Sequence, residues 1–61
     1  MKTEYKIIVD LIEEKTRVLD VGCDDGTLME SLKKNKNVDA RGIEISKDKV
    51  QTCVSKGLTV I

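Results

Sequence analysis

Val18-Leu19-Asp20-Val21-Gly22-Cys23-Asp24-Asp25-Gly26-Thr27-Leu28 is the stretch whose reading decides the fold. An apolar run breaks at Gly22, crosses a turn carrying two carboxylates, and meets Gly26 just before a helical pattern begins. That succession predicts a strand, a tight turn and a helix start, a place where backbone N–H groups and the helix dipole can receive a ligand. Val18 and Leu19 are neighbours and point to opposite sides of the strand, with Val21 adding a third apolar residue. A strand that is apolar on both faces belongs to a parallel sheet with helices on each side.

Working outward, Tyr5, Ile8, Val9 and Ile12 recur at helical spacing and predict an amphipathic helix over residues 3 to 14. Lys15-Thr16-Arg17 is a polar link to the first strand, Arg17 to Val21. The helix after the turn runs over 25 to 35, with Leu28, Met29 and Leu32 on its apolar face and lysines near its end, where they suit the dipole. Asn35 or Asn37 can take the left-handed stop. Val38 to Ile45 reads as a second strand, with Ala40, Gly42 and Glu44 on one side and Arg41, Ile43 and Ile45 on the other. Ser46 is a good N-cap for a third helix, whose stripe is Val50, Cys53 and Val54 and whose end is Gly57. Leu58 to Ile61 opens a third strand.

The order is thus a helix and then β-α-β-α-β, which right-handed crossovers arrange as parallel strands in the order 3-2-1. This is the first half of a three-layer Rossmann-like α/β fold. Both crossover helices fall on one face, leaving the other bare, although Val18 and Leu19 together ask for cover on both. The expectation is that residues 1–61 are the amino-terminal part of a single domain, truncated after the third strand starts. A homodimer covering the bare face is the alternative.

Composition narrows the function classes. The 61 residues are 39% hydrophobic and 36% charged, a globular balance in which one small domain is the most that fits. Eleven basic residues offset eleven acidic ones, with no basic patch to suggest nucleic acid or an anionic membrane. The apolar runs are too short to span a bilayer, and the start lacks a signal-peptide core, so the expected location is cytoplasmic. There is no histidine, and Cys23 and Cys53 stand thirty positions apart, so a zinc site lacks ligands and cysteine–histidine catalysis is excluded within the chain. Two unpaired thiols are expected. The chain also has no proline, and Tyr5 is its single aromatic, so no large side chain anchors a core.

The turn has three candidate readings. A dinucleotide fingerprint needs glycine where Asp24 and Thr27 stand, and fails. Asp25-Gly26-Thr27-Leu28 is similar to the aspartate-nucleophile phosphatases, but their nucleophile falls on Cys23, where a carboxylate is required. The third is the S-adenosylmethionine turn, acidic-x-Gly-x-Gly-x-Gly, matched by Asp20, Gly22 and Gly26 with Asp24 replacing the middle glycine. Glu44, eighteen residues past Gly26 at the end of the second strand, strengthens it, because a carboxylate there can accept from both vicinal ribose hydroxyls.

With Arg41-Gly-Ile-Glu-Ile45, Val50, Cys53 and Lys56-Gly-Leu-Thr-Val-Ile61 added to the turn, the chain resembles the amino-terminal part of the MetW family of methionine biosynthesis proteins. That family lies in the class I S-adenosylmethionine-dependent methyltransferase superfamily. The resemblance implies that Asp20, Gly22, Cys23 and Gly26 line the methionine end of the cofactor, that Glu44 holds the ribose, and that Ile45 packs on the adenine. It also implies a link to methionine synthesis alongside a homoserine O-acyltransferase. Whether the protein methylates anything or only regulates or supports that partner is left open. No residue in the chain is assigned a catalytic role.

Simpler readings stand beside these. Asp20 either touches the ligand or only braces the turn by accepting backbone N–H bonds. Asp25 caps the helix. Asp24 tolerates a positive φ better than most side chains, and its charge repels a cofactor carboxylate but attracts an ammonium. Cys53 is core, and Arg41 and the lysines are solvated surface.

Overall fold

A computed structural model of the protein describes residues 2–61. Three helices, α1 (Thr3–Leu11), α2 (Thr27–Lys36) and α3 (Lys47–Ser55), alternate with strands β1 (Arg17–Val21), β2 (Asp39–Ile43) and β3 (Thr59–Val60). The sheet is parallel throughout, in the order β1-β2-β3, which is the expected 3-2-1 read from the opposite edge. This is a partial Rossmann-like α/β fold.

The punctuation follows from local chemistry. Ser46 caps α3, its Oγ accepting from the Lys49 N–H at 3.5 Å. Beyond α3, Gly57 takes φ 78°. Its N–H donates to Val54 O at 2.9 Å, while Leu58 N–H donates to Cys53 O at 3.0 Å, the paired bonds of a glycine-terminated helix end. Asn37 closes α2 in the left-handed region. α1 ends at Leu11 rather than at residue 14, because Ile12 is already extended at φ −84° and ψ 132°. β2 is likewise shorter than its apolar pattern, and Glu44 and Ile45 lie just beyond it.

One side of the sheet carries the core. Val9 from α1, Met29 and Leu32 from α2, Cys53 from α3, and Cys23, Val38, Ala40 and Leu58 form a single buried cluster, with Ile12, Val18, Leu28 and Val60 packed around it. Of the predicted helical stripes, Val9 is buried while Ile8 lies at the boundary of exposure, and Val54 of α3 faces solvent. The in-register pairs Val18–Ala40 and Asp20–Gly42, continued by Gly42–Val60, all belong to this covered side. The other side has no covering layer among the described residues. Leu19, Val21 and Ile61 are 58%, 73% and 80% exposed, so the cover that Val18 and Leu19 jointly call for is present on one face only.

At Gly42, side chains of α2 and of the turn pack directly onto the sheet. A Cβ there would stand 2.6 Å from Cys23 Sγ and 2.8 Å from Met29 Cε. The close approach that a glycine within a strand signals is therefore made by the protein's own core. Gly42→Ala is expected to destabilise by about 1–3 kcal/mol through overpacking, seen as a lower urea midpoint with an unchanged denaturant slope. An unchanged midpoint would mean that Cys23 and Met29 yield freely.

Candidate functional site

The turn after β1 is bound down onto the end of β2. Gly22 and Cys23 both donate their N–H groups to the carbonyl of Ile43, at 2.7 and 3.1 Å, and Asp24 N–H donates to Glu44 Oε1 at 2.8 Å. Three successive amides thus converge on two successive residues of the neighbouring chain segment. The other oxygen of Glu44 accepts from Ser46 N–H at 2.9 Å, so each carboxylate oxygen is fixed by a backbone donor. To run this way the turn alternates through the left-handed region, with φ of 74° at Gly22, 54° at Asp24 and 84° at Gly26. Aspartate is among the few non-glycine residues that take this conformation readily.

The two turn glycines serve different ends. A Cβ on Gly26 would run into Leu58 Cδ1 and stand 3.0 Å from Cys53 Sγ, so this residue is required by packing between the turn and α3. At Gly22 no atom lies within 4 Å of the corresponding position, and the backbone there is open to approach. Asp25 Oδ1 accepts from both the N–H and the hydroxyl of Thr27, at 3.0 and 2.7 Å, a local turn that braces the start of α2. The N-cap itself is Gly26, which has no side-chain cap, so Asp25 stands one residue short of the capping position expected of it. Lys56 Nζ donates to the carbonyl of Asp25 at 3.0 Å, and Lys49 Nζ stands 3.7 Å from Asp24 Oδ1.

Burial and hydrogen bonding divide the titratable groups. The N–H groups of Ser46 and then Asp24 hold the Glu44 carboxyl below its ordinary value. The Thr27 hydroxyl and N–H do the same for Asp25. Asp20, on the covered side of the sheet and half-buried, is pushed up by burial. Its carboxylate accepts no backbone N–H among the described residues, and burial alone acts on it, so the bracing role is not the one it plays here. Cys23 is raised to about 11, by burial first and then by the Cys53 thiol beside it. Both cysteines are free, as expected, and both are buried, Cys53 in the core as expected and Cys23 beneath the turn rather than on its open side. Cys53 Sγ donates to Asp24 O at 3.2 Å.

Asp20, Gly22, Cys23, Gly26 and Glu44 are therefore gathered within one turn and the adjoining chain end. Of these, Gly22 presents open backbone and Glu44 a carboxylate, while Cys23 and Gly26 are buried in the packing beneath. Ile45 is 97% exposed beside Glu44 and touches no apolar cluster. An open depression of about 450 Å³ adjoins the turn, lined by Lys2, Tyr5, Asp24, Asp25 and Thr27. Tyr5, Thr27, Ser46 and Lys49 were not singled out by spacing as part of the site. Only the acidic–glycine pattern and Glu44 carried a sequence signal. Among the described residues no cluster of potential metal ligands is present, and no helix is long and apolar enough to cross a membrane.

Comparison with protein-family models returns a match over residues 2–61, to the family described as methionine biosynthesis protein MetW. No curated protein matches the chain.

The perturbed carboxyls set the acid response. Glu44 and Asp25 titrate below their unfolded values, so the stability they contribute is present above about pH 4 and is lost as pH falls through their folded values. Asp20 acts in the opposite sense, since its raised value means that protonation relieves a buried charge. The urea midpoint is expected to hold level from neutral pH to mildly acidic conditions and to fall below about pH 4, less steeply in Glu44→Gln. A midpoint that rises on acidification would show that Asp20 outweighs the other two.

Proposed function

The chain belongs to the methionine biosynthesis protein MetW family, which connects it with methionine biosynthesis, and on that premise we propose that it is the S-adenosylmethionine-binding part of a methyltransferase-fold protein. The observation that carries this reading is Glu44. Its carboxylate lies at the tip of β2, directly against the glycine turn of the adjacent parallel strand, with both oxygens held in place by backbone donors.

The residues present fit such a ligand. Each carboxylate oxygen has two acceptor sites, so one remains on each oxygen of Glu44 for the two hydroxyls of a ribose. Gly22 offers backbone that a ligand can approach without meeting a side chain. Asp20 supplies a nearby carboxylate with no backbone N–H partner among the described residues, suited to the ligand's ammonium. Ile45, exposed beside Glu44, is an apolar surface for the adenine. Cys23 and Gly26 contribute from below, by shaping the turn. When bound, S-adenosylmethionine supplies a methyl group on a sulfonium, and its transfer calls for in-line placement more than for an acid–base pair. Accordingly, no residue of this chain is assigned to catalysis.

A second reading is a non-catalytic regulatory or partner subunit of a homoserine O-acyltransferase built on the same fold. The bare apolar face formed by Leu19, Val21 and Ile61 favours it, because a face of that kind is a surface for burial against something else. Methyl transfer into a cell extract would support the first reading, and co-purification with the acyltransferase without such transfer the second.

Titration calorimetry with S-adenosylmethionine is the direct test. Glu44→Ala is expected to weaken binding by about 10- to 100-fold, the equivalent of one charge-assisted hydrogen bond of roughly 1.5–3 kcal/mol. Gly22→Val is expected to weaken it further by filling the open approach. Absence of binding to the wild type, or binding indifferent to Glu44→Ala, would remove the ribose assignment.

A further inference from the structure

Around Glu44 the polar contacts close into a ring. Asp24 N–H donates to Glu44 Oε1 at 2.8 Å, and Ser46 N–H donates to Glu44 Oε2 at 2.9 Å. Lys49 N–H donates to Ser46 Oγ at 3.5 Å, and Lys49 Nζ returns to Asp24 Oδ1 at 3.7 Å. Three separate segments of chain are joined in this way: the turn after β1, the tip of β2 and the first turn of α3. The link that closes the ring exists only because an aspartate occupies a left-handed position that glycine would also satisfy. Glycine there would supply the same N–H to Glu44 but nothing for Lys49 to hold.

We propose that the Lys49 side chain is a positioning group for the Glu44 carboxylate, acting through Asp24. With its ammonium on the Asp24 carboxylate, Lys49 restrains the very residue whose N–H fixes one oxygen of Glu44. Its backbone N–H, which any residue but proline supplies at this position, restrains Ser46, whose N–H fixes the other. The carboxylate is thereby aimed before any ligand arrives, and a diol meets acceptors that need no ordering on binding. Lys49 and Asp24 are 46% and 56% exposed, so an ordinary surface ion pair would have little effect on either neighbour. The proposal differs from that case in requiring the effect to appear at Glu44. Its consequence for a ligand rests on the ribose reading above, whereas the restraint itself does not.

The test therefore has a ligand-free arm. Amide exchange at Asp24 N–H is expected to quicken about threefold in Lys49→Met, the scale of one exposed ion pair. Exchange at Ser46 N–H, whose restraint runs through the Lys49 backbone N–H that the substitution keeps, stays unchanged as the internal control. Lys49→Arg is expected to behave as the wild type, and Lys49→Met to add nothing in an Asp24→Gly background. Unchanged exchange at Asp24 N–H in Lys49→Met, or equal acceleration in the two backgrounds, would overturn the proposal. In the second arm, wild-type preference for adenosine over 2′-deoxyadenosine is measured by calorimetry and is expected to shrink by a similar factor in Lys49→Met. A wild type that does not discriminate the two nucleosides refutes the ribose reading while the exchange result stands. A wild type that discriminates, with Lys49→Met doing so equally, refutes the positioning role and spares the reading.

Discussion

Everything at the candidate site depends on three consecutive amides, those of Gly22, Cys23 and Asp24, being turned onto the tip of β2. A parallel ladder ordinarily ends where its strands end. Here the first strand bends away, yet its N–H groups stay engaged, two on the Ile43 carbonyl and the third on the Glu44 side chain. The left-handed residues at 22, 24 and 26 are the conformational cost of that bend. The bend in turn delivers Cys23 into the core and starts α2 over Gly42. The same few bonds that shape the glycine turn also seat the helix that covers the sheet.

Glycine does two distinct jobs within this arrangement. Gly26 and Gly42 are places where another part of the chain already occupies the space of a side chain, Leu58 and Cys53 in one case and Cys23 and Met29 in the other. Gly22 is a place where nothing does. A motif that lists these positions together hides the difference between close packing and open approach. Only the open one bears on what a ligand can reach. The acidic residues divide in the same way: Asp25 is spent on Thr27, Glu44 is anchored but retains acceptor capacity, and Asp20 sits half-buried with no backbone donor.

Much of the fold was legible because local chemistry and global packing agree. Ser46 caps, Asn37 and Gly57 stop helices, and the period of Leu28, Met29 and Leu32 places the buried face of α2. The boundaries of α1 and β2 were less legible, since apolar residues continue past both ends: Ile12 is drawn into the core in extended form, and Ile45 points to solvent. At the site, Glu44 and the turn announce themselves by spacing. Lys49 does not, because its partner Asp24 lies twenty-five residues away and no periodicity connects a lysine in a helix's first turn to a bend two elements earlier. The reason for Gly42 was equally hidden. A strand glycine tells that something comes near but not what, and Cys23 reaches it only because the turn folds back.

The paired thiols carry a consequence of their own. Cys23 and Cys53 lie side by side beneath the turn, and a sulfur held protonated to about 11 is a poor nucleophile at neutral pH. Both are buried, so an alkylating reagent reaches them only when the packing around them opens, which for Cys53 also breaks its bond to the Asp24 carbonyl. The rate at which the two thiols are labelled therefore clocks the breathing of the covered face.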